Sequence, residues 1–68
     1  MSTQEEPIIQ LDQFMKITGM VGTGGQAKMV IQDGAVLLNG VVETRRKKKL
    51  RAGDEVTFNG QTLVVEFE

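Results

Sequence analysis

The chain has 68 residues and a formal charge of −1, set by eight Lys and Arg against nine Asp and Glu. It contains no cysteine and no histidine, which excludes disulfides, thiolate metal sites and the commonest general base. One domain is the expected count, and a chain this short buries only ~60% of the surface it exposes when unfolded, so its core is small.

Residues 1–6 read as a flexible tail, and residues 7–68 as the single domain. The opening MSTQEEP is polar and acidic, without the basic start and apolar stretch of a signal peptide. No apolar run approaches the ~20 residues of a membrane span, so a cytoplasmic protein with no membrane span is expected. Pro7-Ile8-Ile9-Gln10 fits a short edge strand, because Pro is tolerated where a strand begins. In LDQFMKITG, Leu11, Phe14 and Met15 fall at i, i+3 and i+4. That spacing predicts a helix over 11–18, capped by Asp12 and closed by Gly19.

A second helix is predicted over 24–33. Thr23 and Gln26 stand in the relation of a capping box, Ala27, Val30 and Ile31 form an apolar face, and Gly34 sits where a helix-ending glycine belongs. The intervening linker is short, so the two helices are expected to pack as an angled pair. After Gly34 the apolar period shortens from 3.6 to 2. Asn39-Gly40 and Asn59-Gly60 each lie between apolar runs, and Asn-Gly is the strongest short hairpin signal. Two such turns predict a small, mostly antiparallel sheet. Val56 and Phe58, with Leu63, Val65 and Phe67, should form the face that packs on the helices. The fold class is therefore α+β, with two short helices on a twisted sheet carrying two Asn-Gly hairpins.

Six of the eight basic residues lie in the seven positions from Arg45 to Arg51. This segment joins the first hairpin to the second, with Gly53-Asp54 turning the chain back into a strand. Leu50 is its only large apolar residue and is expected to tuck inward. The charges cannot all be buried, since an unpaired buried cation costs several kcal/mol. Like charges this close repel, and a polyanion best offsets that repulsion.

The pieces LDQFMKITG, GGQAKMVIQDG, VLLNGVVETRR and KLRAGDEVTF, in this order, cover about two thirds of the chain. They resemble the RNA-binding domain family of small-subunit ribosomal protein S-four, also called the αL motif, and especially its short stand-alone bacterial members. The resemblance implies two helices packed on a small twisted sheet, with structured RNA bound along the second helix and the neighbouring loop. In most members another domain supplies chemistry, and no second domain is expected here. The chain departs from the wider family in two places. Gly24 and Gly25 stand where many relatives carry an Arg, and Arg45 to Lys49 replace a less basic, Pro-containing segment. The first departure removes a side-chain phosphate grip from the helix start, and the second moves the expected contact toward the loop.

The candidate RNA-binding residues are accordingly Lys16, Gly24, Gly25, Lys28, Thr44, Arg45, Arg46, Lys47, Lys48, Lys49 and Arg51. Arg45 and Arg46 offer planar forks for phosphate, and the lysines add point charges. Because extended segments alternate their side chains, some of these cations must turn away from a common target. Contact with about five phosphates predicts a ~10²-fold loss of affinity between 50 and 200 mM salt. At the start of the second helix, Thr23, Gly24 and Gly25 leave amides open at the positive end of a helix dipole, with Lys28 one turn on. Thr23 and Gln26 read as cap residues, and Gly34, Asn39, Gly40, Asn59 and Gly60 as structural.

Two look-alike motifs fail on context. Gly22-Thr23-Gly24-Gly25-Gln26-Ala27 fits G-x-G-x-x-G/A, but a helix precedes it and a hairpin follows, where the dinucleotide fingerprint needs a strand–helix–strand unit. It is no Walker A loop either, since no Lys-Ser/Thr follows the last glycine. No catalytic residue, metal site, cofactor or small-molecule ligand is expected. The three Phe, with no Trp or Tyr, make no stacking platform of several aromatics. The expected function is that of a stand-alone module recognising structured RNA, ribosomal or transfer, by phosphate contact and shape, with the ribosome as a candidate partner. Phosphate contacts alone do not separate RNA from DNA. The alternatives are an adaptor docking its basic loop on an acidic protein, and weak association with an anionic membrane surface.

Overall fold

A computed structural model describes residues 7–67; the expected tail over residues 1–6, and Glu68, lie outside the described residues. The elements in chain order are β1 (Ile9–Gln10), α1 (Leu11–Ile17), α2 (Gly24–Gln32), β2 (Val36–Leu38), β3 (Val41–Val42), β4 (Lys49–Leu50), β5 (Glu55–Phe58) and β6 (Gln61–Val64). Four strands form one antiparallel sheet in the order β3-β2-β5-β6, and β1 pairs with β4 in a second, two-stranded antiparallel sheet.

Both hairpins form at the Asn-Gly dipeptides. Asn39 and Gly40 have φ of 52° and 82°, and Asn59 and Gly60 have 56° and 78°, the left-handed pair that a type I′ turn requires. The flanking registers, Leu38 with Val41 and Phe58 with Gln61, place the two turns at the strand ends. On the outward face, the hydroxyls of Thr57 and Thr62 meet across the second hairpin at 2.8 Å.

The core collects Leu11, Phe14 and Met15 from α1, Ala27 and Ile31 from α2, and Val21 from the linker. Val36, Leu50, Val56 and Val65 complete it from the strands and the chain beyond them. Phe58, Leu63 and Phe67 pack against this cluster, so the expected apolar face is the one that meets the helices. Each fully buried aliphatic side chain contributes roughly 1.5–3 kcal/mol, and Leu50 does so from within the basic segment. No helix among the described residues is long and apolar enough to cross a membrane.

Three local expectations change. Asp12 does not cap α1: it is the helix's second residue, and Gln10 occupies the cap position with extended backbone. The basic segment is not simply a connecting loop, because Lys49–Leu50 form a strand against Ile9–Gln10. The capping box at α2 is shifted by one residue. The Gln26 N–H donates to Thr23 Oγ1 at 3.0 Å, but Gln26 Oε1 accepts from the Gly22 N–H at 2.9 Å rather than from Thr23.

Candidate nucleic-acid interface

The basic segment is fastened to the start of α1. The first amides of a helix have no partner within it. Here the Leu11 N–H donates to the Lys48 carbonyl oxygen and the Asp12 N–H to the Arg46 carbonyl oxygen, both at 2.9 Å. The Lys48 N–H in turn donates to the Arg45 carbonyl oxygen at 3.2 Å, closing a tight turn. These carbonyls therefore point inward. Along the segment, burial alternates: Arg45, Lys47 and Lys49 are exposed, Arg46 and Lys48 are half-buried, and Leu50 is fully buried. Arg51 is exposed again. Of the six cations, Arg45, Lys47, Lys49 and Arg51 thus form the solvent-facing set.

Among the described residues, two of the six are paired with carboxylates. Arg45 Nε and Nη2 donate to Glu43 Oε2 and Oε1 at 2.9 and 3.3 Å, and the Arg45 N–H also reaches Glu43 Oε2 at 3.0 Å. Its guanidinium remains open to solvent, at 71% side-chain exposure, while Glu43 is largely covered at 12%. The hydrogen bond from Arg45 holds the Glu43 carboxyl below the usual carboxylate range against the opposing effect of burial, with the charges of Arg45 and Lys48 adding to the shift. The Arg45 guanidinium is correspondingly raised, first by that hydrogen bond and then by the charge of Glu43. Arg46 Nε donates to Asp12 Oδ2 at 3.3 Å.

Lys48, Lys49 and Arg51 converge on an open cleft of about 490 Å³, whose other polar walls are Asn39, Glu43 and Asp54. Hydrogen bonds tie this wall together. Asp54 accepts from Asn39 Nδ2 at 3.2 Å and from the Arg51 N–H at 2.9 Å, and Asn39 Oδ1 accepts from the Glu55 N–H at 2.9 Å. The structure therefore brings three of the expected cations to one concavity. Thr44 is exposed beside Arg45.

The other expected residues sit on the helices. Lys16 is exposed in the last turn of α1, and Lys28 is exposed on α2. Among the described residues, neither forms an ion pair. Gly24 and Gly25 open α2 behind the Thr23 cap, and among the described residues neither amide donates to a protein group. The chain enters α2 from the C-terminal end of α1, whereas the basic segment is bonded to the N-terminal end. Among the described residues, no group of three or more acidic side chains could hold a metal ion.

Sequence reasoning missed the two carboxylate partners. Glu43 was findable, because residues two apart in an extended segment share a side. Asp12 was not, because it lies 34 positions from Arg46 and matches a helix-cap pattern.

Two short helices on antiparallel strands, with a cation-rich connection braced on the first helix, define a small domain of the αL type. Residues 2–66 match the S4 domain family, and the chain belongs to that family, the RNA-binding domain family its sequence resembles. The chain is 38% identical over 64 residues to the "Putative RNA-binding protein YbcJ" of Escherichia coli (strain K12), covering 94% of this chain and 91% of that protein. The "Uncharacterized protein YbcJ" of Shigella flexneri matches to the same extent. The "Probable ribosome maturation protein RlbA" of Bacillus subtilis (strain 168) is 38% identical over 53 residues, covering 78% of this chain and 75% of that protein.

Proposed function

We propose that this protein is a non-enzymatic RNA-binding module of the cytoplasm that recognises structured RNA through backbone phosphates and shape. The observation that carries the reading is a basic segment held to the body by its own carbonyls, with Arg45, Lys47, Lys49 and Arg51 turned to solvent. Double-stranded RNA hides its base edges in a deep, narrow groove, so an array of cations on a fixed backbone suits its phosphates and shape. Lys48 at the cleft and Thr44 beside Arg45 extend this contact, and Arg46 lies within it. The Gly24 and Gly25 amides with Lys28 form a second contact, and Lys16 adds charge from α1. Ribosomal RNA is the favoured target, supported by the ribosome-maturation name of the Bacillus relative; transfer RNA is the other candidate.

The test is affinity purification of the tagged protein from cells, with and without nuclease, and sequencing of the retained RNA. The expected result is enrichment of one structured RNA class that disappears when Arg45, Lys47 and Lys49 are changed to Glu. Equal RNA recovery from wild type and variant would overturn the reading. Retention of a protein partner through nuclease treatment, with no enriched RNA, would replace it with the adaptor.

A further inference from the structure

Asp12 is the one buried charged residue among the described residues, at 8% exposure. A carboxylate in the first turn is favoured by the helix dipole, and Asp12 Oδ1 accepts the Gln13 N–H at 2.8 Å. Its other oxygen is committed elsewhere, to Arg46 Nε. The same two residues are also joined through their backbones, the Asp12 N–H to the Arg46 carbonyl oxygen. Arg46 is therefore held twice by one residue 34 positions away, once by its carbonyl and once by its guanidinium. Two attachment points fix a residue's orientation as well as its place. Because burial alternates along the segment, fixing the inward direction of Arg46 fixes the outward direction of Arg45 and Lys47.

We propose that Asp12 is a positioning residue for RNA binding: through Arg46 it sets the direction in which the basic segment presents its cations. This rests on the RNA-binding reading above. Six cations in seven positions repel one another, and without a brace the segment relaxes into many arrangements, each matching a phosphate path less well. The order that Asp12 imposes is then an ordering cost not incurred at binding.

This role has a sign that simple electrostatics does not share. Asp12→Asn removes a negative charge beside a site for a polyanion, so Coulomb attraction alone makes the variant bind RNA more tightly. Positioning makes it bind more weakly. The experiment measures anisotropy of fluorescein-labelled ribosomal RNA fragments and, in parallel, of bulk transfer RNA titrated with the full chain, wild type and D12N, across a salt series. Amide hydrogen exchange is followed in the same proteins without RNA.

For D12N the expected result is an affinity about threefold to tenfold lower, in keeping with the net worth of one hydrogen bond. The slope of log affinity against log salt should be shallower by about one contact. The Leu11 and Asp12 amides should exchange faster while amides of the β2–β5 pairing stay protected. Arg46→Lys keeps the charge but loses the Nε–H, and it should weaken binding in the same direction. That variant decides the matter if D12N does not fold. Asp12→Glu should restore part of the affinity.

Binding by D12N or R46K that equals or exceeds wild type overturns the proposal. Failure of wild type to retain RNA overturns the functional reading and this role with it. That case is recognised by the absence of binding in every variant while the exchange difference at Leu11 and Asp12 persists.

Discussion

The basic segment and the start of α2 are both suited to anions, and they are built on opposite principles. At α2 only Lys28 carries a full positive charge, and the rest of the attraction comes from neutral groups: two open glycine amides, a helix dipole, and a cap made by residues three apart. Such a site is local and needs no distant support. The basic segment carries six full charges that repel one another. It is held by groups remote in sequence: two carbonyl bonds to the start of α1, a strand pairing with Ile9–Gln10, the Asp12 carboxylate, and Leu50 in the core. Concentrated charge on a small domain requires scaffolding, and here the start of α1 and the β1 strand supply it.

The largest expected effect tests that dependence. Leu50→Ala should cost about 2–5 kcal/mol, the loss typical of a fully buried leucine, against a total stability of roughly 5 kcal/mol for a domain this small. Urea unfolding should show a protein at or beyond the edge of folding. A loss under about 1 kcal/mol would mean that the segment is not anchored through the core.

The next effect separates the two regions by function. Reversing Arg45, Lys47 and Lys49 to Glu should lower RNA affinity by about 10²-fold or more at 100 mM salt and flatten the salt dependence. Lys28→Glu should cost only about threefold to tenfold, since one phosphate contact is lost. Equal losses would put α2 at the centre of the interface and the segment at its rim. Thr23→Ala is smaller again: about 1 kcal/mol of stability from the lost cap, visible in urea unfolding, with RNA affinity nearly unchanged. A large affinity loss there would make the Thr23 hydroxyl a ligand contact.

The same contrast explains what the sequence disclosed. The α2 cap, both helix faces and both hairpins depend on residues within a few positions of one another, where spacing is a direct readout of geometry. The inward placement of Leu50 followed from its being the one apolar residue among charges. The pairing of β4 with β1 did not follow, because Lys49–Leu50 among cations has no alternating apolar pattern to mark a strand. Asp12 was misread for a related reason. An acidic residue at a helix start has a local explanation, and nothing local distinguishes a cap from a carboxylate held for a partner far along the chain. Asn39 shows the same limit: its turn was legible, but its side-chain bonds to Asp54 and the Glu55 amide were not.

The smallest effect concerns Glu43, the second acidic residue beside the cations, and it sharpens the meaning of Asp12. Glu43 binds Arg45, only two positions away, so the pair adds no contact between the segment and α1. Its carboxyl is held below its ordinary value of 4.5, chiefly by the hydrogen bond from Arg45. A carboxyl depressed by folding stabilises the folded state above its unfolded value, and that stabilisation is lost as pH falls through the folded one. The stability difference between wild type and Glu43→Gln should therefore be small but measurable in urea at pH 7, and should close as pH falls below about 4.5. Gln still accepts the Arg45 N–H, yet it no longer holds the guanidinium as an ion pair, so RNA affinity should rise slightly, by less than about threefold. Two carboxylates touching the same run of cations then give opposite signs. Removing the local partner strengthens binding, and removing the distant brace weakens it. A shift in the same direction for both variants would reduce Asp12 and Glu43 alike to their charge.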